Sequence, residues 1–365
     1  MFPPACFPRQ LFASSAETAT AYVSTGGDDL TGVLNDPALP FETGNAAVAA
    51  LVLEYPSEPV TLKYQNDGPV GLSLSTELDD ALASGLTLAS DSGTVRSLSG
   101  VMSFGSSPNA LLTLRNVQLA SLVKQQHASL STESAGTIHG EGSVTITAMT
   151  LGGANGSAGS AGANGDSVTG YTGGEGTSGN EPTNGGNGES VTSTGVVGGT
   201  GTAGRSAWNL TLTGSGSIDA LFGIGGVGGA GGDGGNGGTA TGGTGGTGGT
   251  ATGPSDANGG DGGNGGDATS TGGAGGDGGN GGNGSTITNT GNAWTLNPPL
   301  LTGRSGGAGG SGGVGGAVTG GTGGTGGIGF GAGGNGATGS SGSATSTNGA
   351  EGSSGSSGVN GSVIT

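Results

Sequence analysis

The stretch GGVGGAGGDGGNGG at 225–238, continued by TGGTGGTGGT at 241–250, decides how this chain reads. Two glycines and one other residue repeat without a break, so the period is three. An amphipathic helix repeats at about 3.6 residues and a half-buried strand at about 2. A turn of about three residues with no internal hydrogen bonds is polyproline-II geometry, rising ~3.1 Å per residue. With Gly in place of Pro, every N–H is free to donate sideways, and two bare faces let other such segments come close. The third residues, Val227, Ala230, Asp233, Asn236 and Thr239, then form a column along one edge. Backbone is expected to pack against backbone here, in bundled three-fold helices.

Working outward, only 12 of the 95 glycines precede residue 142, so two regions of different physics meet near 141–152. Low hydrophobicity with this much Gly usually means disorder. The strict period and the apolar segments that return between tracts argue for order instead. Because Gly loses the most backbone entropy on ordering, the tracts must recover that cost through many hydrogen bonds between segments. The net charge is −18 with seven Lys plus Arg, which leaves nothing to neutralise a row of phosphates and excludes a nucleic-acid partner. Cys6 is alone, so no intrachain disulfide forms. Without an apolar run of about 18 residues, membrane insertion is not expected. The start, MFPPACFPRQLFASS, lacks a basic segment followed by an apolar core and does not read as a secretion signal. It points to export by another route such as lysis, or to a processed form.

Residues 1–20 carry three prolines and read as an extended arm. A short β run at Tyr22-Val23 meets a Gly-Gly-Asp-Asp turn and then Asn35-Asp36-Pro37. ETGNAAVAALVL (42–53) has helical spacing, and PVTLKY (59–64) reads as a strand with Pro59 at its first position. Strand, GGDD turn, Asn-Asp-Pro, Phe41, short Ala-rich helix and strand together resemble the opening of right-handed parallel β-helix proteins, among them bacteriophage tail fibres. That resemblance implies a helix capping the first coil and a parallel stack over 21–151. The usual Pro-Phe-x-Thr is spread here over Pro37 to Thr43. Alternating runs continue the pattern: GLSLS (71–75), LTLAS (86–90), VRSLSGVMSF (95–104), ALLTLRNVQL (110–119) and TIHGEGSVTITAMTL (137–151). Their spacing also suits a β-sandwich. Asn116 reads either as a turn residue or as part of an internal amide ladder.

From 152 the chain alternates between Gly-rich excursions (152–204, 223–283, 305–360) and returning strands. Ala207-Trp208-Asn209-Leu210 matches Ala293-Trp294-Thr295-Leu296. GSVTIT (142–147), GSTIT (284–288) and GSVIT (361–365) form a second set. The fold class is therefore mostly β, a parallel β-helix or β-stack whose long loops form polyglycine-II bundles. TAT at 239–241 and TATGPSDAN at 250–258 read as reversal points.

The tract GGAGGDGGNGGNG (272–284) resembles the Gly-rich domains of mycobacterial surface proteins and the tip adhesins of phage long tail fibres. The latter resemblance implies receptor contacts in the turns between Gly helices. The candidates are Tyr171, Glu181, Pro254, Asp256, Phe330 and the Ser-rich 340–346, set against ordinary solvated turn residues. GGAGGD at 228–233 and 272–277 resembles the start of the calcium-binding β-roll nonapeptide, but Gly235 and Gly279 stand where a large aliphatic belongs. No cofactor is expected, with calcium the one possibility. Thr241, Thr244, Thr247 and Thr250, with Thr319, Thr322 and Thr325, resemble the ice-binding rows of Gly-rich antifreeze proteins, or are soluble filler.

An enzyme on this fold would need clustered or paired carboxylates. Arg96, Arg115 and Lys124 have none beside them, and His127 and His139 are isolated, so no catalytic role is expected. The sequence reads as an extracellular or virion-surface structural protein that contacts a cell-surface protein or glycan. The alternatives are a polymerising surface or biofilm-matrix filament and a β-helix polysaccharide-degrading enzyme. GSVIT ends in a strand without a polar cap, so Val363 and Ile364 are expected to pair with another chain in a homotrimer or a head-to-tail filament.

Overall fold

The computed structural model describes residues 19–73, 75–104, 110–124, 136–253 and 255–365. It is mostly β with parallel sheets and two α-helices. The first part contains β1 (Ala19–Val23), α1 (Gly44–Glu54), β2 (Val60–Tyr64), β3 (Gly68–Pro69) and α2 (Thr76–Ser84). It continues through β4 (Leu86–Ser90), β5 (Arg96–Phe104), β6 (Leu111–Lys124) and β7 (Gly136–Gly152). The first excursion holds β8 (Val168–Thr169) and β9 (Val191–Thr194). The chain then returns through β10 (Leu210–Gly214), β11 (Gly216–Ile218) and β12 (Leu221–Ile224). The second excursion holds β13 (Ala240–Thr241) and β14 (Ala268–Thr271), and returns through β15 (Thr286–Asn289), β16 (Trp294–Leu296) and β17 (Leu300–Thr302). The third holds β18 (Val318–Thr319) and β19 (Ala344–Thr347) and returns through β20 (Ser362–Ile364).

The main sheet has 14 strands in three parallel ladders. The first runs β1-β2-β4-β6-β7-β10-β15-β20. β6 and β7 bend into the second ladder, which adds β3, β5, β11 and β16, and then into a third with β5, β12 and β17. The strands that return after each excursion therefore continue the stack, which draws on described residues from Ala19 to Ile364. The bend in β6 falls at Asn116, which takes a positive φ of 52° and whose Oδ1 accepts the Ser143 N–H at 3.0 Å. Asn116 is thus a turn residue. Opposite it, Gly142 has φ 71° and no room for a Cβ beside the Asn116 carboxamide.

Inward side chains repeat rung by rung. Ala21, Leu62, Leu88 and Leu114 are in register on the first ladder, Leu98, Leu119, Ile146 and Ile218 on the second, and Met102, Leu122, Met149 and Leu221 on the third. All are buried, each large one contributing roughly 1.5–3 kcal/mol. Thr43 caps α1 by accepting the Ala46 N–H, and Ala47, Val48 and Leu51 pack into the core. Ser75 caps α2, whose first turn carries Glu77 and Asp79. The run expected as a strand at 71–75 instead leads into α2; Leu74 lies outside the described residues.

The two Trp segments are not equivalent. Trp208 lies just before the first ladder. Trp294 belongs to the second, pairing in register with Gly216. Gly140 and Gly216 leave space for the Trp294 ring, and its Nε1–H donates to the Thr213 carbonyl at 2.8 Å. The GSTIT and GSVIT segments do pair, Ile287 with Val363, whereas Val144 to Ile146 of GSVTIT lie on the second ladder.

Each excursion runs out, reverses and returns antiparallel to itself. Arg205 N–H donates to Ala154 O, and Thr202 N–H to Ser157 O, at 2.8 and 2.9 Å. Between excursions the outgoing rows run parallel: Gly156 N–H donates to Val227 O at 2.8 Å and Gly228 N–H to Ser305 O at 3.1 Å. Diagonal bonds complete a slab of three stacked layers, as where Gly229 N–H donates to Thr202 O and Gly307 N–H to Gly279 O, both at 2.8 Å. The bonds recur every third residue except where strands interrupt the rows, at β8, β13 and β18 on the outgoing side and at β9, β14 and β19 on the return side. Thr239 to Thr241 is such a strand in mid-row, not a reversal. The reversals lie at 180–182, between Ala251 and Ala257, and at 330–333.

Glycine content follows position in the slab. The outgoing row of the middle layer bonds to both layers and diagonally to a return row. A Cβ on Gly229 would lie 1.9 Å from Ser157 O, and one on Gly228 2.0 Å from Gly279 O. The return row of the third layer has solvent on one side and reads GSSGSSGVNG at 352–361, one glycine per three, with Ser354 and Ser357 exposed.

Candidate functional site

The three reversals meet at the end of the slab away from the β stack. Thr252 N–H donates to Gly179 O at 2.9 Å, tying the first turn to the second. Ala257 and Phe330 exchange N–H···O bonds of 3.2 and 2.9 Å, tying the second to the third. Asp256 Oδ1 accepts the Ala332 N–H, and Asn258 Oδ1 the Gly334 N–H, both at 2.8 Å. Glu181, Asp256 and Phe330 are therefore brought to one end, each exposed. Pro254 lies outside the described residues. Tyr171 is not a turn residue: it projects, 81% exposed, from mid-row in the first layer, with its N–H on Glu189 Oε2 at 2.9 Å. Residues 340–346 likewise lie along the third-layer return row and β19 rather than at a turn.

Along both long edges of the slab, side chains of one layer clamp the next. Asn187 Oδ1 accepts the Asn264 N–H at 2.9 Å, and Asn264 Oδ1 accepts the Ser340 N–H at 2.9 Å. Asp267 does the same for Ser343, and these bonds from the Ser343 backbone and hydroxyl hold its carboxyl below the ordinary range. Asp233 and Asp277, the acidic ends of the two GGAGGD stretches, accept the Ser311 and Ser353 N–H groups at 2.8 and 2.7 Å. Among the described residues, no group of three or more His, Cys, Asp or Glu is placed to hold a metal.

The distal half of the outgoing edge also carries a threonine array. Thr169, Thr241 and Thr319 are in register across the layers. One period on, Thr172, Thr244 and Thr322 line up, then Glu175, Thr247 and Thr325. Thr244 Oγ1 donates to Thr172 Oγ1 at 3.0 Å. Apart from Glu175 this distal half-edge is uncharged.

On the β stack, Arg115 bonds Glu141 and lowers its carboxyl's pKa, while His139 contacts Glu141 at 3.4 Å and Thr213 at 3.0 Å. His139, expected to be isolated, therefore lies between the Glu141 carboxylate and the Thr213 hydroxyl, in a half-exposed surface group. His127 lies outside the described residues. Lys124 is buried with its Nζ 4.0 Å above the Trp208 ring. Burial pushes its pKa down to about 8, with Asp79 opposing the shift. A cavity of about 20 Å³ beside it, lined by Leu112, Ile138, Met149, Leu151 and Leu210, has room for little more than a water. Val363 is half-buried against the core and Ile364 is 52% exposed, both on β20 beside β15. No described helix is long and apolar enough to cross a membrane.

No protein-family model and no curated protein matches the chain. Among solved structures, it is similar to a springtail antifreeze protein from Granisotoma rainieri, described as a bundle of nine polyproline type II helices. The two are 26% identical over 55% of this chain and 93% of that one, with a TM-score of 0.08. At that score the structures do not superpose, and the likeness carries no argument.

Proposed function

We propose that the protein is a non-enzymatic structural adhesin, of the tail-fibre or extracellular-filament kind, that presents its three reversal turns to a cell-surface protein or glycan. The ladders are read as coils of a parallel β-helix, and the slab as a polyglycine-II bundle projecting from it. At ~3.1 Å per residue, the row from 153 to 179 holds the turns roughly 80 Å from the stack. The observation that carries this reading is the convergence of three reversals, hydrogen-bonded across layers, at one end of a rigid slab. Conformational freedom is low there, and preorganised turns lose little entropy on binding. An extracellular or virion-surface location follows from that role.

The test is adhesion of labelled full-length protein to candidate host cells. Glu181→Lys with Phe330→Ser should abolish adhesion without changing the melting temperature; undiminished adhesion overturns the reading. Self-association belongs to the same proposal. β16 and β17 are the last strands of their ladders among the described residues, and strand edges recruit partners. Sedimentation at micromolar concentration should show a trimer or a filament, and a monomer alone would remove this part.

The threonine array favours a second reading, binding to ice. Its rows lie ~4.8 Å apart across layers and repeat at ~9.3 Å along them. Rigid hydroxyl and methyl groups on such a grid would hold water in regular positions. Thermal hysteresis that Thr244→Lys abolishes would establish this reading, and its absence in the parent protein ends it.

A further inference from the structure

Asn–Gly pairs recur through the slab, among them Asn155, Asn164, Asn187, Asn236, Asn264 and Asn280 with the glycines that follow. In an unfolded chain this dipeptide is the most labile site for asparagine deamidation. The deprotonated Gly nitrogen attacks the Asn Cγ, a C–N bond closes a five-membered succinimide, and ammonia leaves. Water then opens the ring to aspartate or isoaspartate. The reaction needs a Gly N–H free to ionise and a side chain free to swing over it.

The slab withholds both. Asn236 Oδ1 accepts the Val314 N–H at 2.9 Å while Gly237 N–H donates to Val314 O at 2.8 Å. Asn264 and Gly265 grip Ser340 in the same way, at 2.9 and 2.8 Å. Asn280 and Gly281 grip Ser356, both at 2.8 Å. In each case one residue of the next layer holds both the Gly N–H and the Asn carboxamide, the two groups that cyclisation would have to bring together. Asp233 and Gly234 grip Ser311 with the same geometry, at 2.8 and 2.8 Å, so a carboxylate serves the clamp as well as an amide does.

We infer that the clamp protects the slab covalently: it suppresses deamidation at the Asn–Gly pairs it holds, and it tolerates aspartate where deamidation has occurred. Reaction requires local opening that breaks both bonds of a clamp, which slows it by roughly tenfold or more. This goes beyond the adhesin reading and does not depend on it.

The test is peptide-mapping mass spectrometry of the full chain after incubation at alkaline pH, folded and in denaturant. Asn236, Asn264 and Asn280 should deamidate at least about ten times more slowly in the folded protein; equal rates overturn the inference. Ser356→Pro sharpens the test. Proline suits an extended row with a three-residue period, and it removes the N–H that holds Asn280. Deamidation should rise at Asn280 and stay low at Asn264 in the same molecule. A rise at both would mean general loosening, and then Ser340→Pro decides by whether its effect centres on Asn264. No site-specific rise in either variant overturns the clamp as the cause. Asn280→Asp should melt with the parent protein, and a clearly lower melting temperature would overturn the claim of tolerance.

Discussion

In the β stack Leu62 meets Leu88 and Leu114 one rung apart, and the side chain is what the fold buries. In the slab Gly229 lies where any Cβ would strike the Ser157 carbonyl, and the backbone itself is what the fold buries. The first region gains its stability from apolar area. The second gains it from a dense lattice of N–H···O bonds, each worth about 1 kcal/mol net, set against the large entropy of ordering glycine. A stack of side chains tolerates a smaller residue at the cost of a cavity. A stack of backbones tolerates no larger one.

That contrast can be broken from either side. The largest effect is expected for Gly232→Val in the middle layer, where the new Cβ would lie 1.9 Å from Ser160 O. The atom struck is backbone and cannot rotate away, so the slab should lose more than ~3 kcal/mol, while Ser354→Val on the third-layer return row stays within about 0.5 kcal/mol. Chemical denaturation of the two variants side by side checks this. Leu88→Ala attacks the stack instead. It should cost ~2–5 kcal/mol, read in the same experiment, and leave hydrogen-exchange protection in the slab's middle rows intact.

A smaller effect is expected at Lys124. Its folded pKa, about 8, lies below its ordinary value of 10.5. Between those values the unfolded chain binds the extra proton, so this group makes stability rise with pH from about 8 upward. Below pH 8 its full penalty is present. Tyr64, whose pKa burial raises, works in the opposite sense above pH 10, so the clean window is about 8 to 10. Lys124→Met should flatten the pH dependence of melting there. If the slope persists in the variant, Lys124 is not its source. The smallest effect belongs to Arg115→Ala on the stack surface, expected to cost less than about 1 kcal/mol and to vanish in high salt.

Much of this was legible in the sequence, because the two regions speak in different periods. The period of three located the rows, and alternation located β2, β4, β5 and β7 within a residue, while β6 runs five residues past its expected end to Lys124. α2 was missed because GLSLS alternates like a strand. Ser75 followed by Glu77 and Asp79 carried the helix-start signal. The Trp-containing segments looked like repeats because both are apolar β pieces, yet their register depends on corners such as Gly214 that a local pattern does not show. Tyr171 was read as a turn residue because it interrupts the glycines. Its row has open solvent on that side, and any side chain fits there. The clamps escaped notice because their partners lie about 72 to 78 residues away. Asp256 and Phe330 were legible as interruptions of the tract, but not as neighbours.

The lattice of bonds at every third residue also sets how such a molecule can change length. Adding one residue to a row would throw every bond beyond it out of phase with the neighbouring rows. Adding three to each row keeps all of them, extends the slab by ~9 Å, and leaves the turns, the clamps and the stack untouched. Reach is therefore adjustable in fixed increments, by repeat expansion shared among three excursions, without redesign of either end.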